Sequence, residues 1–368
     1  MKILEIVAGY PDLNGGKASS FIHTRNLYYI QHGITPIVLN FRTDTDYVID
    51  GVQVICLKTF REKYTKGGYF TVLASHASNV REHYRFLQQY EALFPHIVFF
   101  FHGHEVLRIN ECYPKPYDYM RKRSVQGTWV QNVYDSFKLN IWRKYYPKIA
   151  YKADFVFVSE WIRERFFHYL RLKPEDILHH DHIINNSIGK VFEKESYGKT
   201  AERKYDFITM RSNLDGRTYS IDTVCAIAEA NPSKRFLITG KGKYFTNNPK
   251  PNNVEWIGQL FDHKDIPALL DSAKCALMPT RQDTQGLMTC EMATYGIPTI
   301  TSDIPVCHEI CDAFDNVKLI DNSNTALDLT PLLDELQKGV PYPKNPQYFA
   351  ENTIGKEIAL FEKLAGRS

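Results

Sequence analysis

The feature that constrains this chain most is a strand–helix alternation that runs along the first half and then starts again. MKILEIVA reads as a strand, SSFIHTRNLYYIQHG as a helix closing on Gly33, and TPIVLNF as a strand. Residues 77–94 have helical spacing, HIVFFF and DFVFVS are short apolar runs of the buried-strand kind, WIRERFFHYL is a helix, and HIINNS closes the first half. Residues 189–204 are polar and rich in Lys and Glu, without an apolar period. Beyond them DFITMRS, RFLITGKG, NVEWIGQ, CALMPT and IPTITSD read as strands, and SIDTVCAIAEANP, DIPALLDSAK and GLMTCEMATYG as helices. Strands that alternate with helices bury both sheet faces only as a parallel sheet with crossover helices. The reading is therefore α/β: two Rossmann-like domains, residues 1–190 and 191–345, facing each other across a cleft. With 368 residues, each half is large enough for its own core.

Composition removes several alternatives. The apolar fraction of 43% and charged fraction of 24% are those of a globular protein. A net charge of +3 is too small for an obligate nucleic-acid binder. No run approaches the length of a membrane-spanning helix, and MKILEIVAGYP reads as a first strand rather than a secretory signal. The seven cysteines are irregularly spaced and complete no zinc pattern, so reduced thiols in a cytoplasmic protein are expected.

Four stretches carry chemistry. Ligands of parallel α/β sheets bind outside the carboxyl ends of the strands, and all four lie there. LNGGKASSF places Gly15 and Gly16 between the first strand and the first helix, where backbone can approach an anion; a plain turn is an equal reading. It is not the GxGxxG dinucleotide pattern. MRSNLDGR places Arg211 at the end of a strand and Arg217 before the next helix, two cations suited to a diphosphate or, alternatively, two solvated arginines. DTQGLMTCE runs from Asp283 and Gln285 through Gly286 and Leu287 to Glu291. Its carboxylates can accept from paired hydroxyls of a sugar or ribose, but Asp283 also suits a capping turn and Glu291 a buried acid paired with a base. FFFHGHE places His102 at the end of a buried strand, facing a ligand or simply packed; with His104 and the distant His76 it lacks usual metal spacing.

Together these stretches resemble the retaining glycosyltransferases of family 4, which have the two-domain GT-B fold. LNGGKASSF with HGITPIVL resembles the family's Gly-Gly loop, first helix and second strand, and FFFHG its strand ending in an active-site His, at His102. FVFVSEWIRERF resembles the stretch before its inter-domain linker. Arg211 and Arg217 match its Arg and Lys that hold the donor diphosphate. GKG, with Gly240, resembles its Gly-Asp-Gly turn, and DTQGLMTCEMATYGIPTITSD its Glu, seven residues, Glu motif. The resemblance implies that Asp283 grips the transferred sugar, that Glu291 binds the nucleotide ribose, and that Gly286 and Leu287 offer amides to the diphosphate. It also implies that the C-terminal helix, within 346–368, packs back on the first domain. The chain departs from the pattern in having Asp283 for Glu, Arg217 for Lys, Gln285 for an apolar residue and Lys241 for an acid.

The implied function is transfer of a hexosyl unit, with retention, from a nucleoside diphosphate sugar, UDP- or GDP-linked, to a glycan or lipid-linked acceptor in bacterial surface polysaccharide or glycoconjugate synthesis. Neither a cofactor nor a metal is expected, because the arginines can neutralise the leaving diphosphate, and no nucleic-acid partner is expected. The basic-aromatic stretches YMRKRS and WRKYYPK could face an anionic membrane, which would place the protein at its inner face. The alternative is a catalytically silent GT-B subunit that binds glycan or stabilises a partner transferase.

Overall fold

The computed structural model describes residues 1–16, 18–120, 125–198 and 203–366. The chain divides into two compact units. The first comprises Met1–Ile109, Trp129–Ser187 and Ala350–Ser368, and the second Asn110–Thr128 and Ile188–Phe349.

Among the described residues the first unit has eight strands: β1 (Lys2–Val7), β2 (Thr35–Asn40), β3 (Tyr47–Ile49), β4 (Val52–Ile55), β5 (Val72–His76), β6 (His96–Phe101), β7 (Ala153–Phe157) and β8 (Asp181–Ile183). They form one sheet in the order β3-β4-β2-β1-β5-β6-β7-β8. Every pairing is parallel except β3 with β4 at the edge. The near-continuous burial along β1, β5, β6 and β7 follows from helices covering both faces. The chain builds outward from β1 and then returns to β5 on its other side. The topological switch therefore lies between β1 and β5, next to β6.

The second unit repeats the plan with β9 (Tyr205–Asn213), β10 (Phe236–Lys241), β11 (Val254–Ile257), β12 (Ala273–Leu277), β13 (Thr299–Ser302) and β14 (Val317–Ile320). Its order is β11-β10-β9-β12-β13-β14, all parallel, with the switch between β9 and β12. Its core joins Phe207, Ile238, Leu277 and Ile300 to Val224, Ile227 and Leu333 from the covering helices.

Several features differ from the sequence reading, the strands β3, β4, β5 and β14 among them. Helix in the 77–94 stretch begins only at His83, runs as α-helix to Tyr90 and ends in a 3-10 turn, Glu91–Leu93. Asn79 turns the chain before it, its Oδ1 accepting from the amides of Arg81 and Glu82. Val125–Ile149 forms one long helix, with Pro147 near its end, where the sequence shows only basic-aromatic stretches; Arg121–Ser124 of the first of these lie outside the described residues. Asn110–Thr128, which the sequence divides with the first half, packs with the second unit. The C-terminal helix Ile354–Ala365 puts Ile354, Ile358, Leu360, Phe361 and Leu364 against Ile3, Val72, Val98 and Phe100 of the first sheet. Buried Arg25 donates from Nε to Glu357 on that helix at 2.9 Å.

Candidate functional site

In the second unit the switch point is where the charge collects. Arg211 is the seventh residue of β9, and the loop after β12 carries Asp283 beside it. Arg211 is only 7% exposed. Nη2 donates to the Pro279 carbonyl at 2.8 Å, and the group lies over the Tyr219 ring at 5.0 Å. Nε is buried without a hydrogen-bond partner. Burial lowers the Arg211 pKa from its ordinary value, and the Asp283 charge opposes that shift. A buried cation with an unused N–H is costly unless something anionic answers it.

Gly240 shapes this spot through its backbone. Its φ is 137°, and a Cβ there would come within 2.0 Å of the Arg211 carbonyl oxygen. The register between β9 and β10 shifts at this point, so only glycine lets the strands close behind Arg211. Arg217, on the loop after β9, is half-buried with its guanidinium 5.1 Å over the Tyr113 ring.

The Asp283 loop is ordered from within. Asp283 Oδ1 accepts from the amides of Thr284 at 2.8 Å, Gln285 at 3.4 Å and Gly286 at 2.8 Å. The capping turn weighed in the sequence is thus present, and the Gly286 amide is engaged by Asp283. Leu287 starts the helix Leu287–Tyr295, and its amide has no such acceptor among the described residues. Gly286 has φ 69° and caps the helix in the left-handed region, which its side-chain-free Cα permits. Gln285 is 1% exposed, so its side chain lies inside the unit.

Glu291 is 2% exposed one turn further along. Its Oε1 accepts from the Gly189 amide at 3.0 Å and lies 3.7 Å from His263 Nε2. Burial raises its pKa, and His263 and the Gly189 amide pull it back. A Cβ on Gly189 would meet the exposed His263 side chain at 2.7 Å, so His263 would have to shift to admit one. The expected pairing of Glu291 with a base is therefore present, the base being His263.

In the first unit Gly15 and Gly16 form a turn closed by Asp12. Asp12 Oδ1 accepts from the Asn14 amide at 2.8 Å and the Gly16 amide at 3.1 Å, and the Gly15 amide donates to the Asp12 carbonyl at 3.3 Å. These two amides already have acceptors. His102 follows β6, half-buried, with its ring 4.6 Å from that of Phe21. Its Nε2 lies 3.3 Å from Nδ1 of His76. Among the described residues no group of three His, Cys, Asp or Glu side chains is placed to hold a metal ion.

The sequence reading missed several participants. Arg281 makes a bidentate pair with Asp222, Nη1 to Oδ1 at 2.9 Å and Nη2 to Oδ2 at 2.6 Å, and so stands in the same loop as a committed cation. Tyr117 and Tyr119 stack at 5.8 Å, the first donating to Asp222 at 3.1 Å and the second to Asp215 at 2.6 Å. The odd density of tyrosines at 113, 117 and 119 was the available signal. None of the seven cysteines is in a disulfide, and all but Cys112 are buried.

Comparison with known proteins bears on both units. Residues 207–334 match the family described as glycosyl transferases group 1, a span that runs from β9 past Glu291 and lies within the second unit. No curated protein matches the chain by sequence. A glycosyltransferase from Rickettsia africae ESF-5 superposes with a TM-score of 0.67 at 13% identity, over 100% of this chain and 99% of that one. Sucrose-phosphate synthase from Thermosynechococcus elongatus does so at 0.63 and 13%, over 100% and 96%. WaaG, a glycosyltransferase involved in lipopolysaccharide biosynthesis, does so at 0.62 and 13%, over 99% and 98%. At these identities the likeness is one of fold: two Rossmann-like bodies of the GT-B kind, the second carrying the glycosyl transferases group 1 match.

Proposed function

We propose that the chain is a retaining glycosyltransferase that moves a hexosyl unit from a nucleoside diphosphate sugar, UDP- or GDP-linked, to a glycan or lipid-linked acceptor. The observation that carries this reading is Arg211: a buried guanidinium at the switch point of the second sheet, with Nε unpartnered. As the anomeric C–O bond breaks, negative charge grows on the departing diphosphate. Arg211 and Arg217 would stabilise that charge more than the ground state, which lowers the barrier rather than merely binding substrate. The group 1 match over the same strand supports it.

The proposed acceptor class is supported by the role of one neighbour, WaaG, in lipopolysaccharide biosynthesis and by one surface. Trp129, Val130, Val133, Tyr134 and Phe137 line one face of the helix Val125–Ile149 and are exposed, Trp129 by 65%. Arg143 and Lys144 are exposed further along it. Aromatic side chains flanked by cations suit an anionic lipid surface, where a lipid-linked acceptor of surface polysaccharide or glycoconjugate synthesis would be met. No described helix is long and apolar enough to cross a membrane; the contact proposed is a peripheral one. Sedimentation with anionic vesicles at low salt checks it: binding lost in Trp129→Ala/Phe137→Ala is expected, and no binding by the wild type would remove this part.

The second reading, a silent GT-B subunit, is favoured by one observation. Asp283 Oδ1 is already saturated by three amides of its own loop. A screen of UDP-, GDP-, ADP- and dTDP-sugars for thermal stabilisation and nucleotide release separates the two. Release with one donor, abolished in Arg211→Ala, is expected. Stabilisation without release or transfer would favour the silent subunit.

A further inference from the structure

Three neighbouring strands of the first unit each bring one titratable side chain to a common line: Glu5 from β1, His76 from β5 and His102 just after β6. Glu5 and His76 are 0% and 1% exposed. His76 Nδ1 stands 3.3 Å from His102 Nε2, and His76 Nε2 stands 3.4 Å from Glu5 Oε1. Those last two atoms are both buried and both unpaired. The other carboxyl oxygen, Oε2, accepts from Asn26 Nδ2 at 2.5 Å. Two buried unpaired polar atoms this close together are costly unless one supplies a proton for the other.

The surroundings decide which one does. Burial pushes the Glu5 carboxyl up to about 8, so at neutral pH it is an acid and can donate. Burial, with the Arg25 charge, holds the His76 and His102 rings well below the usual histidine range, so each carries a single proton. Arg25 itself is committed, from Nε to Glu357 and from Nη2 to Asn186 at 2.8 Å. His83 is turned to the Ile6 carbonyl at 3.3 Å, and His23 is held by Tyr10 and Asp50. With Glu5 donating to His76 Nε2, the His76 proton must be on Nδ1, pointing at His102. His102 then accepts at Nε2 and must keep its own proton on Nδ1. That atom is not among the buried unpaired ones and has no partner among the described residues.

We propose that Glu5 and His76 are positioning residues that lock His102 in the tautomer protonated on Nδ1. This presents a neutral hydrogen-bond donor at the carboxyl edge of the first sheet, for a hydroxyl oxygen of a bound sugar. Only the last clause rests on the transferase reading; the tautomer does not. In this state His102 grips an oxygen and does not take a proton from it.

The test is a long-range proton–nitrogen correlation spectrum of the full chain labelled with ¹⁵N-histidine, at neutral pH, with His76→Asn and His102→Asn assigning the two rings. Both rings are expected in the Nδ1–H form. An Nε2–H form or a charged ring at either position would overturn the proposal. Glu5→Gln keeps an N–H donor and should leave both patterns in place. Glu5→Leu removes it and should return His76 to Nε2–H, with His102 following. If Glu5→Leu does not fold, the wild-type and Glu5→Gln spectra still decide. With a turned-over donor sugar in hand, Glu5→Leu should raise KM about tenfold with kcat changed less, and Glu5→Gln should restore it. An equal fall in kcat and kcat/KM would contradict a gripping role. An absence of turnover with any sugar would remove the transferase reading and leave the tautomer result standing.

Discussion

The two sheets use their switch points in opposite ways. In the second unit a permanent cation, Arg211, is buried between β9 and β12 with one N–H unanswered. In the first unit the polar groups at β1, β5 and β6 answer one another: Glu5, His76 and His102 stand in line, and the environment keeps them neutral. Guanidinium cannot shed its charge at any accessible pH, so Arg211 stays a donor with one N–H open to an acceptor. Carboxyl and imidazole can shed theirs, and burial makes them do so. The same fold thus carries a buried cation at one switch point and a line of neutral polar groups at the other.

That contrast can be broken by substitution. The largest effect is expected from Gly240→Ala, whose Cβ would meet the Arg211 carbonyl at 2.0 Å in a backbone conformation glycine favours. It should cost about 4 kcal/mol in denaturant unfolding. Gly15→Ala, with φ 87° but nothing near its Cβ, should cost about 1 kcal/mol. Next, Arg211→Ala should weaken nucleoside diphosphate binding roughly 100-fold by calorimetric titration, and Arg217→Ala roughly tenfold, because Arg217 is only half-buried. Equal effects would mean that burial at the switch point is not what matters. Asp283→Ala should cost about 1–2 kcal/mol of stability by freeing three amides, and Asp283→Asn much less, since an amide oxygen still accepts. If Asp283 also holds the sugar, the Asn variant will lose turnover while staying folded.

The smallest effect concerns the neutral edge. The folded-state pKa of Glu5 is raised by burial to about 8 from 4.5. The folded state therefore binds the extra proton between those values. This contribution to stability is complete below about pH 4.5 and is lost as pH rises through about 8. Glu5→Gln should flatten that decline between pH 6 and 9 in thermal unfolding curves. An unchanged slope would place the titration elsewhere, at Glu291 or Glu357, whose pKa values burial also raises.

Much of this was legible in the residues themselves. The strand–helix period revealed both sheets, because a buried parallel strand must be apolar throughout, as HIVFFF is. Arg211, Gly286 and Glu291 were legible because strand-end cations and a glycine before an apolar helix are local signals. The short strands β3, β4, β5 and β14 were not, being held by their neighbours more than by pattern. The link from Glu5 through His76 to His102 stayed hidden for another reason. Glu5 sits within an apolar strand and His76 ends β5, and only register between strands distant in sequence brings them to His102. The commitment of Arg281 to Asp222 likewise depends on side chains 59 residues apart. Asp12 and Asp283 show the limit of loop reading. Both glycine loops look open to a ligand in sequence, and both are closed by an aspartate of their own.

The most direct measurement is a crystal structure with a nucleoside diphosphate, UDP or GDP, bound. A phosphate oxygen within hydrogen-bond distance of Arg211 Nε, with Arg217 on the same diphosphate, is the predicted result. A nucleotide bound elsewhere, or an Arg211 Nε taken by a protein group instead, would contradict the account.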